Sequence, residues 1–294
     1  MKKIIKKTTD SAVVGIVTAI LLIGLIVLVI SIVQIVYVPI IMEQREAEHM
    51  DRVAEQFAFL TSVIDNQAAE GNKGIPIATF VTLGSKELGL LASSKAFGTL
   101  EVLENSGAIT IQNESMTNTF QIGTICYSSN NAYYLDQSYT YDAGSMIVSQ
   151  SQGNKMMVRP NFFVDYNKTR NIVNISFDVV NISSIGSKII AAGYGICGIQ
   201  TEFIDISTNI TYTDVSTMTI ATSFSPAWFV FISRSLIDAG LKLEVDPPQV
   251  ILTDMGNALK LDFPSPEYSE FYPTVNIIFK ITEIQAQVGP GWVE

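Results

Sequence analysis

The sequence predicts an α+β, membrane-anchored fold: a long N-terminal transmembrane and stalk α-helix, then an antiparallel β-sandwich-like ectodomain with one short helix. Three observations carry this. Residues 12–38 hold no charged side chain, residues 43–68 repeat their apolar positions at helical spacing, and from residue 74 onward the period falls to two. The implied division is a basic leader (1–11), a transmembrane helix (12–38), an amphipathic stalk (39–73) and an extracellular β-rich domain (74–294).

The leader, MKKIIKKTTDS, carries Lys2, Lys3, Lys6 and Lys7. The apolar run that follows is Val, Ile or Leu at 19 positions. As a helix it is about 40 Å long, and a bilayer core needs only about 20 apolar residues. A cleaved secretory signal would have a shorter apolar core and a small-residue cleavage site; here Tyr-Val-Pro-Ile-Ile-Met closes the run. Basic flanks stay on the cytoplasmic side. The expected topology is therefore a single pass through the cell membrane, with the N-terminus cytoplasmic and the C-terminal domain extracellular. Gly15, Gly24, Ser31 and Gln34 lie within the run. Glycines permit close helix approach, and an amide in lipid seeks a partner, so these four are the candidates for helix association.

Pro39 marks an end or a kink. Beyond it Ala47, Met50, Ala54, Phe57 and Ile64 form a stripe widened by Val53, Leu60 and Val63, while Glu46, Glu48, Asp51, Arg52, Glu55 and Gln56 fall on other faces. His49, the single histidine, sits among Glu46, Glu48 and Asp51 and reads as a solvated residue. Gly71-Asn72-Lys73-Gly74 stops the helix. Strands are expected at 77–83, 98–104, 108–112, 119–127, 145–150, 155–159, 172–182, 196–204, 210–220, 249–253, 258–263 and 274–288. Hairpin turns are expected at Ser151-Gln152-Gly153-Asn154 and Asp254-Met255-Gly256-Asn257. One helix interrupts them, with Ser225 as N-cap, Pro226 at its first position, Trp228, Phe231, Ile232, Leu236 and Ile237 on one side, and Gly240 closing it.

Composition narrows the function. The chain has 18 basic and 28 acidic residues, and four of the former precede the membrane run, so the ectodomain is strongly acidic. That excludes a nucleic-acid partner, which needs a basic patch. Cys126 and Cys197 are expected to form a disulfide in an oxidising compartment, worth about 4 kcal/mol for a loop of that size; two separate thiols are the alternative. Asn113, Asn167, Asn174, Asn181 and Asn209 each begin an Asn-X-Ser/Thr triplet and are candidate glycosylation sites. Two cysteines and one histidine do not make an ordinary zinc site. No nucleophile elbow, phosphate loop or HExxH motif is present, so no catalytic residue, metal or cofactor is assigned. Gly193-Tyr194-Gly195-Ile196-Cys197-Gly198 has GxGxxG spacing but reads as a turn among strands. Asp262, Glu267 and Glu270 lie near Tyr268, Phe271 and Tyr272 in a loop that either binds a sugar or cation or is pinned by its aromatics.

The order of parts resembles the archaeal type IV pilin-like proteins. The resemblance rests on the leader junction from Lys6-Lys7-Thr8-Thr9-Asp10-Ser11-Ala12 to Val13-Val14-Gly15, with Lys7, Ser11 and Ala12 marking it. It rests also on Val38-Pro39 followed by Glu43-Gln44-Arg45-Glu46-Ala47-Glu48-His49, and on Tyr141-Asp142-Ala143-Gly144-Ser145-Met146-Ile147-Val148 with Gln152-Gly153-Asn154, which is similar to a hairpin of large pilin-like ectodomains. Two features depart from the family pattern: no Gly or Ala directly follows Lys7, and no acid lies between Ser11 and Glu43. The resemblance implies a non-enzymatic surface protein that displays a glycosylated head in adhesion or filament assembly. Its partners would be the lipid bilayer and other pilin-like helices or a surface partner. A membrane-anchored binding module unrelated to pilins is the second reading, and an anchored carboxylate hydrolase the third.

Overall fold

The computed structural model describes residues 5–84, 96–243, 247–265 and 271–289, with side chains from residue 13 onward. One apolar helix crosses into a β-rich domain, the anchored α+β architecture the sequence predicts. Helix α1 (Ile5–Ile32) passes through a single π-turn (Val33–Tyr37) into α2 (Val38–Glu70). The turn has a cause in Pro39. Proline has no N–H and crowds the carbonyl four residues back, and the ladder widens there, with the Val38 N–H donating to Val33 O. The helix therefore continues through Pro39. Gly71 ends α2 at φ 66°, a left-handed cap.

The head holds two sheets. The five-stranded sheet runs β1 (Ile77–Thr82), β10 (Ile196–Tyr212), β14 (Thr274–Val288), β8 (Ile172–Ser184), β7 (Asn161–Asn167). The larger sheet runs β12 (Ile251–Asp254), β13 (Ala258–Asp262), β11 (Val215–Ala221), β2 (Phe97–Asn113), β3 (Thr117–Asn130), β4 (Gln137–Asp142), β5 (Ser145–Gln150), β6 (Gly153–Val158), and β9 (Ile190–Gly193) adds to β2. Pairing is antiparallel except between β8 and β14, which run parallel from Thr274↔Ile172 to Ala286↔Ser184. The expected strands at 98–104 and 108–112 are one strand with an irregularity between Leu103 and Gly107. Strands β4, β7 and β9 were not expected, and β10 extends to Tyr212 where a break was expected after 204. The sheets approach each other where Gly123 of β3 meets β8, and a Cβ there would collide with the Ile182 carbonyl.

Two core clusters follow. One packs Met50, Val53, Phe57, Leu60 and Ile64 of α2 against strands that include Ile125, Tyr127, Tyr141 and Ile199. The other places α3 (Ser225–Asp238) over the sheets through Trp228, Ile232 and Leu236, around Phe177 and Phe279. Ile237, expected on the buried side of α3, is exposed. Ser225 is not the N-cap. Phe224 holds that position, the Ser225 hydroxyl donates to Asp254 Oδ1 at 2.7 Å, and the amide of Ala227 is served from β6 by Asn154 Oδ1 at 2.9 Å.

Candidate functional site

The chemistry of this chain concentrates where α2 enters the head. From residue 13 to 37 the helix exposes Val, Ile and Leu on all sides, with Ile35 at 75% and Tyr37 at 58%. Above that, one face closes. Val38, Met42, Glu46, Met50, Val53, Phe57, Leu60, Ile64 and Gln67 recur every three or four residues and are buried.

Glu46 is fully buried in that stripe. Its carboxylate accepts three backbone N–H groups, from Ala132 at 3.1 Å and from Tyr133 and Tyr134 at 2.7 Å each. It caps the loop between β3 and β4 as an anion caps a helix N-terminus. His49 lies one turn on. It is buried rather than solvated, with Nε2 3.1 Å from the Tyr127 hydroxyl, which itself donates to Leu83 O at 2.9 Å. The tyrosine proton is therefore committed, so Nε2 carries the histidine proton and donates. Nδ1 is buried without a partner. Burial lowers the His49 pKa, outweighing the Leu83 carbonyl and the Glu46 charge that act the other way. The imidazole is packed in the joint between α2 and the head.

Further along, Gln56 makes a two-point contact with Thr82: its Nε2 donates to Oγ1 at 3.1 Å, and its Oε1 accepts the Thr82 N–H at 2.8 Å. Tyr141 donates to Asp65 Oδ1 at 3.0 Å; burial raises the Asp65 pKa against that hydrogen bond. Gln67 donates to Thr201 O at 2.8 Å and accepts the Thr201 hydroxyl at 2.8 Å. The stalk is thus fastened to the head by polar bonds along its length as well as by its apolar stripe.

Strand β4 links this joint to α3. Tyr141 points to the stalk; its neighbour Asp142 points the other way, as alternation requires. Asp142 Oδ2 accepts Trp228 Nε1 at 3.0 Å and Thr222 Oγ1 at 2.9 Å. Burial raises its pKa. The β4–β5 turn at Ala143 (φ 52°) and Gly144 (φ 89°) is the left-handed two-residue type that hairpins favour.

The cysteines are separate thiols. Ile125 and Tyr127 enter the core cluster that contains Cys197. Cys126, between them, is sent to the opposite face, where Thr140 Oγ1 donates to its sulfur at 3.4 Å. Burial raises both thiol pKa values. The glycosylation candidates differ. Asn167 and Asn209 are exposed. Asn181 is half-buried, donating to Glu283 at 2.8 Å and accepting the Gly123 N–H at 2.8 Å. Asn174 accepts from Asn276 at 3.1 Å, and Asn113 holds its own turn through Ser115 and Met116.

Of the helix-association candidates, Gly15 and Gly24 have open space around them, Ser31 donates to Val27 O at 2.8 Å, and Gln34 is exposed on the π-turn. The backbone at Lys7, Ser11 and Ala12 is already helical. Of the aromatic-acidic loop, Glu267, Tyr268 and Glu270 lie outside the described residues. Asp262 pairs with Lys260 at 2.8 Å and, with Glu114 and Asp214, lines a cleft of about 530 Å³. A second groove, about 230 Å³, lies between α3 and β6 and gathers Lys155, Arg159 and Arg234 with one acid, Asp238. Among the described residues, no three His, Cys, Asp or Glu side chains are placed to hold a metal.

A family of unknown function (DUF7289) matches residues 11–189, from the apolar helix through the end of β8. No curated protein and no solved structure matches the chain.

Proposed function

The chain belongs to the DUF7289 family, and we propose that it is a non-enzymatic, pilin-like surface protein of archaeal type. It anchors by one helix, displays the β-rich head outside the cell, and serves adhesion or the assembly of a surface filament. The observation that carries this reading is the two-part helix. Its first part is apolar on every side, and its second part is sheathed by the head without a break between them. A rod fastened through Glu46, Gln56, Asp65 and Gln67 transmits force from the head to the membrane without a hinge. The lysines at positions 2, 3, 6 and 7 set the N-terminus on the cytoplasmic side.

Mass spectrometry of the N-terminus of the native protein tests it. Cleavage near Ser11 is the pilin-like outcome; an intact Met1 removes that outcome. The second reading, an anchored binding module, draws on the groove between α3 and β6, where three cations gather on a chain of net charge −10. It calls for an intact Met1 and a helix that stays monomeric in the membrane.

A further inference from the structure

We propose that the loop of residues 131–136 is a membrane-surface contact, seating Tyr133 and Leu135 in the headgroup layer of the same bilayer that holds the helix. This rests on the reading of the apolar helix as a bilayer span.

Height is the first argument. Three hydrogen bonds to Glu46 fix the loop at a known level of α2. Ile41, still 41% exposed, is five residues below Glu46, or about 7.5 Å along the axis. The headgroup layer beyond the hydrocarbon is about 5–7 Å thick on each side. On the same helix face Met42 and Val38 are 0% and 5% exposed, so that face is already covered below the level of Glu46.

Side-chain chemistry is the second. Tyr133 is 38% exposed and Leu135 52%, while Tyr134 between them packs on the stalk cluster. Tyrosine favours the headgroup level because its ring is apolar and its hydroxyl polar. The exposure belongs to an ordered loop. Asp136 Oδ1 accepts the Asn131 N–H at 2.7 Å, and Asn131 Nδ2 donates to Leu135 O at 2.7 Å. Charge selects the lipid: Asp136 belongs to the loop, and on the α2 stretch around Glu46 the acids Glu43 and Glu48 outnumber the one cation, Arg45, which favours zwitterionic over anionic headgroups.

The test uses the full chain in phosphatidylcholine nanodiscs, with Tyr133→Trp or Leu135→Trp as reporters and lipids brominated on the upper acyl carbons as quencher. The parent, with Trp228 and Trp292, supplies the baseline, and Val230→Trp on α3 is the control. Both loop reporters should lose about half their added emission to the brominated lipid, as a ring at the interface would, and the control should lose none. Chain that enters the discs while both reporters ignore bromine overturns the proposal and leaves the anchor standing. Reporters that follow the protein-to-lipid ratio instead of bromine assign the contact to a second copy, and also overturn it. Failure of the chain to enter discs at all overturns the anchor, and the proposal with it.

Discussion

Replacing Glu46 by alanine tests the stalk–head joint most sharply. The carboxylate is fully buried and accepts the N–H groups of Ala132, Tyr133 and Tyr134. Each hydrogen bond to a charged acceptor is worth about 1.5–3 kcal/mol. Ala132 and Tyr133 lie at the surface, so water takes back part of the loss, and a net cost of about 2–4 kcal/mol follows. Because 1.4 kcal/mol is tenfold in an equilibrium, the Tyr133 and Tyr134 amides should exchange at least about tenfold faster if their protection comes from this cap. Glu46→Gln keeps one acceptor oxygen and should fall between. Hydrogen exchange by mass spectrometry on detergent-solubilised protein reads the loop, and denaturant melts read the total. Exchange within about threefold of the parent, with unchanged stability, would refute the reasoning, since such a difference is under 1 kcal/mol.

The remaining predictions concern the joint and its neighbours. His49 is held below its usual pKa by burial, so near pH 6 the unfolded chain binds a proton that the fold refuses. Stability contributed by this site is full above about pH 6.5 and falls as the pH drops toward the folded value; thermal melts should show this slope, and His49→Gln should flatten it. Asp142→Ala strands the Trp228 and Thr222 donors and should cost about 2–4 kcal/mol in denaturant melts, with Asp142→Asn nearer the parent. Burial raises the folded Asp142 pKa, so its own contribution declines as pH rises from the usual carboxylate pKa to the folded value, a slope Asp142→Asn should lose. Denatured, unreduced protein should titrate two thiols, and reductant should leave the melting temperature unchanged; one disulfide by mass would contradict the separation of Cys126 and Cys197. Glycan mapping should find sugar at Asn167 and Asn209 but not at Asn181, whose amide nitrogen is bonded to Glu283.

What was legible in the sequence follows from periodicity. The apolar span, the Gly71 stop and the strand at 274–288 were all readable, because each is a long run with one repeat and a marked end. Strand β4 (QSYTYD) was missed because its alternation is carried by two tyrosines among polar residues. Glu46 and His49 were misread as solvated because charge alone placed them on an outer face. A signal was present: stepping back from Met50 by four reaches Glu46, then Met42 and Val38, all on the buried face. Which loop meets that face is a tertiary fact, set by strands whose loop lies 86 and 87 residues away in sequence, and no local pattern encodes it. The disulfide expectation failed for a similar reason. Two cysteines say nothing of facing, and the pleat turns Cys126 away from the cluster that holds Cys197.

The central claim is an anchored helix with the head fastened on the outer side. Protease shaving of intact cells, followed by alkaline carbonate extraction and peptide mapping of both fractions, measures it directly. The account predicts that peptides from β2 through β14 are released from the surface, while a fragment containing residues 13–41 stays in the extracted membrane. A chain that partitions to the soluble fraction, or a head shielded while other surface proteins are cut, would contradict it.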